Sequence, residues 1–232
     1  MKRRLPEPHR NNARANSSSN AFARVELCVV LAALALLSVI ALPALANNKS
    51  RSQRLVCVSN LSRIGQAYAQ WASDHWDYYP FLLGRSLGGT RPPFNGLESN
   101  PWLQFSWVSN ELATPRILAC PGDTKRVAED FSANLGGLLH PNYQNNAISY
   151  FLAHPVLDRI LSGDRSLTVN RGSGACSYFS AVNIIDSRSF WAQSIHDGSG
   201  NLLFRDGSVE ETGTPELRRS IGNFVSMHLI LP

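Results

Sequence analysis

Apolar and polar positions follow three different rhythms along the chain. From Leu27 to Ala46, 20 consecutive residues carry no charge. As a helix rising ~1.5 Å per residue, this run matches the ~30 Å hydrocarbon thickness of a bilayer. From Leu55 onward the apolar residues thin to every third or fourth position, at Leu55, Val58, Leu61, Ile64, Tyr68 and Trp71. That spacing marks one face of an amphipathic helix, with Ser, Arg, Gln and Asn on the other face and Pro80 ending the pattern. Together the two rhythms predict one long helix from about Phe22 to about Asp77. Its first half spans a membrane and its second half packs on a sheet. Two helices broken near Asn47 and Asn48 are the alternative.

The third rhythm is strand-like. Residues 78–146 are rich in Gly, Pro and Asn, and "GGTRPPFNGLESNPW" reads as a long loop with turns. The runs "AISYFLA", "SLTVN", "CSYFSAV", "SFWAQSI" and "NLLFRD" follow and read as strands. A helix first and antiparallel strands afterwards imply an α+β fold, with the sheet covering the apolar helix face. Asp197-Gly198 and Asp206-Gly207 flank "NLLF". Each dipeptide suits a tight turn, because Gly accepts positive φ and Asp bonds its own backbone, so "NLLF" is expected as a strand between two turns.

Composition and charge change the picture only at the start. The 232 residues carry a formal charge of +5, enough chain for one globular domain plus an anchor. The excess is concentrated in residues 1–21, where Lys2, Arg3, Arg4, Arg10 and Arg14 face only Glu7. Basic residues elsewhere are scattered, so no nucleic-acid partner follows. The Asn/Ser-rich basic start has too little apolar content to pack a core, and its charge holds that side in the cytoplasm. An ordinary secretory signal would end at the small-x-small stretch Ala44-Leu45-Ala46 and release a chain beginning at Asn47. It leaves Glu26, a carboxylate at the front edge of the apolar run, without a role, and a charge in such a segment is usually there for a purpose.

The stretch "A-FARVELCVVLAALALLSVIALPAL" resembles the N-terminus of type IV prepilins and type II secretion pseudopilins. In that family a small residue, usually Gly, precedes the cut, an N-methylated aromatic becomes the new N-terminus, and a Glu follows four residues later. Here the corresponding residues are Ala21, Phe22 and Glu26. Pro43 falls where many members carry a helix-kinking proline. The resemblance implies a pilin-like fold and a division into a cytoplasmic leader (1–21), a transmembrane and assembly half-helix (22–46) and a periplasmic domain (47–232). It also gives Glu26 a task. Within an apolar filament core the carboxylate faces the freed amine of Phe22 on a neighbour, and two such charges offset each other's desolvation only when they meet, which sets assembly register.

His196 is separated from Asp206-Gly207 by nine residues. This H-x9-DG spacing resembles the signature of a pseudopilin-like family of the DUF1559 type, which also carries the prepilin N-terminus. Similar blocks are "CVSNLSRIGQAYAQW", "LACPGD", "ISYFLAH", "ILSGDRSLT" and "GNLLFRDGSV". A structural role for His196, bonding a turn across the hairpin, is favoured over a metal site at His196, Asp197 and Asp206. Calcium wants six to eight oxygens, and only two carboxylates cluster there. No cofactor is expected beyond that calcium alternative. No nucleophile and base pair stands out, so no catalytic residue is assigned. Of the four cysteines, Cys28 lies in the apolar run. In the resembled family positions like Cys57 and Cys120 coexist, which implies a disulfide pinning the "CPGD" loop to the helix in an oxidising envelope, with Cys176 left over.

The resulting expectation is a non-enzymatic filament subunit at the inner membrane, single-pass, with its globular domain in the periplasm. Its partners are prepilin peptidase, other pilin or pseudopilin subunits, an inner-membrane assembly platform and the lipid bilayer. A membrane-anchored exported binding module is the first alternative. A small metal-dependent exported enzyme centred on His196 and Asp206 is the second.

Overall fold

The helical rhythm of the first third is realised as α1, Ser19–Ser73. The computed structural model describes residues 19–91, 100–153, 159–171, 183–185, 188–221, 227–230 and 232. The side chains at 19–23, 40–48, 170–171, 183–185 and 227–230 lie outside that description. The chain divides into two compact units, Met1–Asn48 and Lys49–Pro232, and α1 contributes residues to both.

In the first unit the described side chains of α1 run from Arg24 to Val39, and all are exposed. They include Val25, Leu27, Val29, Val30, Leu31, Leu34, Leu36, Leu37 and Val39. The expected fold is corrected here. Among the described residues no helix is long and apolar enough to cross a membrane, so the membrane-spanning first half of a pilin-like helix is not found. Arg24 and Glu26 carry charge at the front of the described side chains, and the described uncharged stretch, Leu27–Val39, supplies about 20 Å of helix, less than the ~30 Å a span needs; the uncharged residues that follow, 40–46, lie outside the described side chains. The side chains of Ala21, Phe22 and Pro43, with the kink expected at Pro43, lie outside the described residues.

In the second unit α1 becomes two-faced. Cys57, Leu61, Ile64, Ala67, Tyr68 and Trp71 are buried and form one side of a core. Leu55, read as part of that face, is 63% exposed, because the stripe begins with Cys57. α1 also stops before the expected Asp77. Trp76 and Asp77 both adopt positive φ (56° and 60°), and the Asp77 amide donates back to the Ala72 carbonyl (3.0 Å). Left-handed residues closing back on the last turn are a common way to end a helix.

After α1 come two short helices, α2 (Pro101–Trp107) and α3 (Ser109–Leu112), in the region expected as loop. Nine strands follow among the described residues: β1 (Tyr150–Ala153), β2 (Ile160–Asp164), β3 (Leu167–Thr168), β4 (Asn170–Arg171), β5 (Asn183–Ile185), β6 (Phe190–Trp191), β7 (Ser199–Phe204), β8 (Val209–Gly213) and β9 (Met227–Ile230). A helix, α4 (Thr214–Ile221), stands between β8 and β9. Seven strands form one sheet in the order β4-β5-β9-β1-β2-β7-β8, with every neighbouring pair antiparallel. β3 and β6 form a separate pair. The expected strand "CSYFSAV" lies outside the described residues.

The central strands are buried on both faces, and their side-chain period of two sorts them between two cores. Tyr150, Leu152, Leu161 and Leu203 join α1. Phe151, Ala153, Ile160, Leu202 and Phe204 join Leu217 and Ile221 of α4, with Leu167 and Trp191. The second unit is therefore a three-layer α/sheet/α arrangement. The glycine at 65 allows close approach of α1, since a Cβ there would sit 2.9 Å from Leu203 Cδ1.

The observed helix face makes a direct test. Leu61→Ala, at a fully buried site, is expected to destabilise the domain by about 2–5 kcal/mol, whereas Leu55→Ala should stay within about 0.5 kcal/mol. Urea midpoints of the two variants check this, and equal losses would place the wrong face in the core.

Candidate functional site

Four separated stretches of sequence meet beside the sheet. The "CPGD" loop, Cys120–Asp123, is fastened to one stripe of α1. Gln53 Nε2 donates to the Pro121 carbonyl (3.1 Å). Cys57 is disulfide-bonded to Cys120, with Cα atoms 5.2 Å apart. Asn60 Nδ2 donates to the Ala119 carbonyl and to Tyr150 Oη, both at 3.3 Å. These helix residues lie three to four apart, which puts them on one face. Gly122 is a close-approach position, since a Cβ there would meet His196 Cε1 and the Ile195 carbonyl at 3.3 Å.

Asp123 and Arg165 then join the loop to the end of β2. Arg165 donates from both Nε and Nη2 to the two Asp123 oxygens, each at 2.6 Å. Burial raises the Asp123 carboxyl, but its hydrogen bonds and the Arg165 charge outweigh this and hold it below the ordinary value. A bidentate guanidinium–carboxylate pair of this kind fixes orientation as well as energy.

His196 is buried at the entry to β7. Its Nε2 lies 3.6 Å from Cys120 Sγ and 3.5 Å from Asp164 Oδ2. Asp164 is fully buried at the end of β2. Its Oδ2 accepts from the Asn201 backbone amide (2.7 Å) and from Asn201 Nδ2 (2.8 Å), while its Oδ1 is buried without a hydrogen-bond partner among the described residues. Burial pushes the Asp164 carboxyl up to about 7, against the lowering effect of Asn201. Burial, reinforced by the charge of Arg54, lowers the His196 imidazole. Both shifts favour neutral side chains, so the contact is that of a neutral imidazole beside a carboxyl that takes up a proton near neutrality. Arg54, one turn before Cys57, closes the rim. It donates from Nη2 to the His196 carbonyl (3.0 Å) and pairs through Nη1 with Glu211 on β8.

The sequence-singled residues are thus divided. His196, Cys57 and Cys120 converge. Asp206 and Gly207 belong to the β7–β8 turn, where the Ser208 amide and hydroxyl donate to Asp206 Oδ1 (3.0 and 2.6 Å) and Gly207 has φ 85°. The six residues of β7 stand between this turn and His196, roughly 20 Å of extended chain. The two ends of the H-x9-DG motif therefore do different work, and His196 faces the disulfide and Asp164 instead of bonding across the hairpin. Asp197 marks the other turn, with φ 49° ahead of Gly198 at 78°, and contributes no ligand atom to the cluster. Glu26 is exposed in the first unit. Cys28 there is a free thiol, and Cys176 lies outside the described residues.

Asp164, Arg165, Asp123 and Arg54 were missed as site residues. One signal was available: "ILSGD" ends an apolar strand on a carboxylate, which a buried strand does not carry without a partner. No protein-family model, curated protein or solved structure matches the chain, so the site is read from its own geometry.

The disulfide closes a loop with sequence separation 63. Replacing Cys57 and Cys120 by Ala together is expected to cost about 2–5 kcal/mol of stability, read by urea denaturation. Asp164 supplies a pH test. Its folded pKa near 7 lies above the ordinary 3.8, so the folded chain holds the extra proton between those values. The stabilising contribution is complete below about 3.8 and is lost as pH rises through about 7. His196, with a lowered folded pKa, gives the opposite slope: its contribution is present above the ordinary 6.5 and lost as pH falls. Asp164→Asn removes only the first of these. Wild type should therefore lose stability relative to the variant between pH 5 and pH 8, by on the order of 1 kcal/mol or more. Parallel pH profiles would refute the assignment.

Proposed function

We propose that the chain is a structural subunit of a filament of the type IV pilus or type II secretion pseudopilus kind, cut after Ala21 and methylated on Phe22. The observation that carries this reading is the first unit of α1. Nine large apolar side chains between Val25 and Val39 are exposed, directly behind the prepilin-like Ala21-Phe22 pair, with Glu26 among them. An apolar surface of this extent needs cover. Copies of the same helix supply that cover, and the amine of a neighbour's Phe22 supplies the cation that Glu26 requires once it leaves water. Prepilin peptidase, sister subunits and an assembly platform are the partners this implies. The domain at Lys49–Pro232 is carried along as a stitched, solvent-facing body, and its role is structural rather than catalytic.

The test is intact-mass and N-terminal peptide analysis of the chain from its native cell. A mature form beginning at N-methylated Phe22 is expected. A chain beginning at Asn47 or retaining Met1 would overturn the reading. Glu26→Ala should leave the amount of processed protein unchanged and lower its recovery in sheared filaments at least tenfold.

A further inference from the structure

Cys57, Cys120 and His196 are all buried, and their ligand atoms lie within 4.8 Å of one another. We propose that, when the Cys57–Cys120 bond is open, these three side chains and Asp164 form a site for a zinc-class divalent cation, so that a metal and a disulfide are alternative staples at one place. The inference concerns the second unit only and does not rest on the filament reading.

The donor set is chemically apt. Two thiolates and an imidazole suit zinc, and a carboxylate oxygen completes four-coordination. The distances are apt as well. In a tetrahedron with Zn–S ~2.3 Å and Zn–N ~2.0 Å, the sulfur–nitrogen edge is about 3.5 Å. His196 Nε2 stands 3.6 Å from Cys120 Sγ and 3.5 Å from Asp164 Oδ2. The ring therefore presents one nitrogen to both neighbours, as a shared ion requires.

A second observation points to a ligand independently. Asp164 is wholly buried and its Oδ1 has no hydrogen-bond partner among the described residues, an arrangement that is costly unless something answers it. Asn201 holds Oδ2 with two hydrogen bonds, the outer-shell support that ligating carboxylates commonly have, so Oδ1 is the oxygen left to answer a cation.

The exchange balances. A dithiol reductant gives two electrons and two protons to the Cys57–Cys120 bond and itself becomes a disulfide. The divalent cation then displaces the two thiol protons, which pass to solvent. A newly made chain in a thiol-reducing compartment reaches the same dithiol state without reduction. In either case α1 and the "CPGD" loop remain crosslinked.

The experiment uses the full-length chain in mild detergent with Cys28→Ser and Cys176→Ser, leaving two thiols. Protein purified anaerobically in its dithiol form is titrated with Co²⁺ and then with Zn²⁺. One Co²⁺ per chain with a thiolate-to-cobalt charge-transfer band is expected, displaced by Zn²⁺ and absent from the disulfide form. Zn²⁺ should raise the melting temperature of the dithiol chain. His196→Gln, its fold checked by circular dichroism in the disulfide form, should weaken Co²⁺ binding at least tenfold. No Co²⁺ uptake by the dithiol chain, uptake without the charge-transfer band, or undiminished uptake by His196→Gln would overturn the proposal.

Discussion

The crosslink between Cys57 and Cys120 fastens the helix that carries the first core to the loop on which much of the second unit converges. Its importance lies in what it makes possible nearby. With the loop held against α1, Gln53 and Asn60 reach its carbonyls, Asp123 meets Arg165, and Gly122 gives His196 room to approach Cys120. Each contact alone is worth on the order of 1 kcal/mol. Each also depends on a loop position that the covalent bond restricts, because closing a loop of this length removes conformations from the unfolded chain rather than adding contacts to the folded one.

The sheet imposes the complementary constraint. β1, β2 and β7 bury both faces, with α1 on one side and α4 on the other. A strand covered twice has little tolerance for a polar side chain, yet Asp164 at the end of β2 and Asn201 in β7 are both fully buried. They answer each other through two hydrogen bonds to one oxygen, and burial shifts Asp164 toward its neutral form, the usual response of a carboxyl that cannot be hydrated. That the core retains these residues where an apolar pair would pack is the main physical reason to regard this corner as more than scaffold.

Legibility in the sequence followed the strength of the local signal. The second half of α1 was readable because Leu61, Ile64, Tyr68 and Trp71 repeat at helical spacing over several turns. Its end was not, because Trp76 and Asp77 terminate it with left-handed conformations that neither residue type announces. β7 was readable from the two Asp-Gly turns that bracket it. β8, whose residues Val209–Gly213 alternate too weakly to show a period, and α4, only eight residues long, were not. At the site, residue types were legible and partners were not. His196 was singled out for a motif whose other end, Asp206, caps a distant turn. Its actual neighbours, Cys120 and Asp164, come from strands and loops that only tertiary packing brings together. The apolar run of the first unit is the other case: its 20 uncharged residues, Leu27 to Ala46, read as a membrane span, and among the described residues no helix is long and apolar enough to make one.

The two units divide the chemistry by position along the chain. The exposed apolar side chains and Glu26 lie before Asn48, and every residue of the buried Cys–His–Asp cluster lies after it. Assembly through the first would depend on apolar area and on one charge finding its counterion. The state of the second depends on electrons, protons and, in the dithiol form, a cation. Nothing in the cluster requires a neighbouring copy, since the ligand atoms of Cys57, Cys120 and His196 lie within 4.8 Å of one another in one chain and Asp164 adjoins His196 in the same chain. The disulfide staple can therefore form within one chain, independently of whatever covers the exposed segment of the first unit. On the proposed filament reading, this suits a subunit whose exposed apolar run is a hazard until covered, because the second unit buries its two cores without any partner chain.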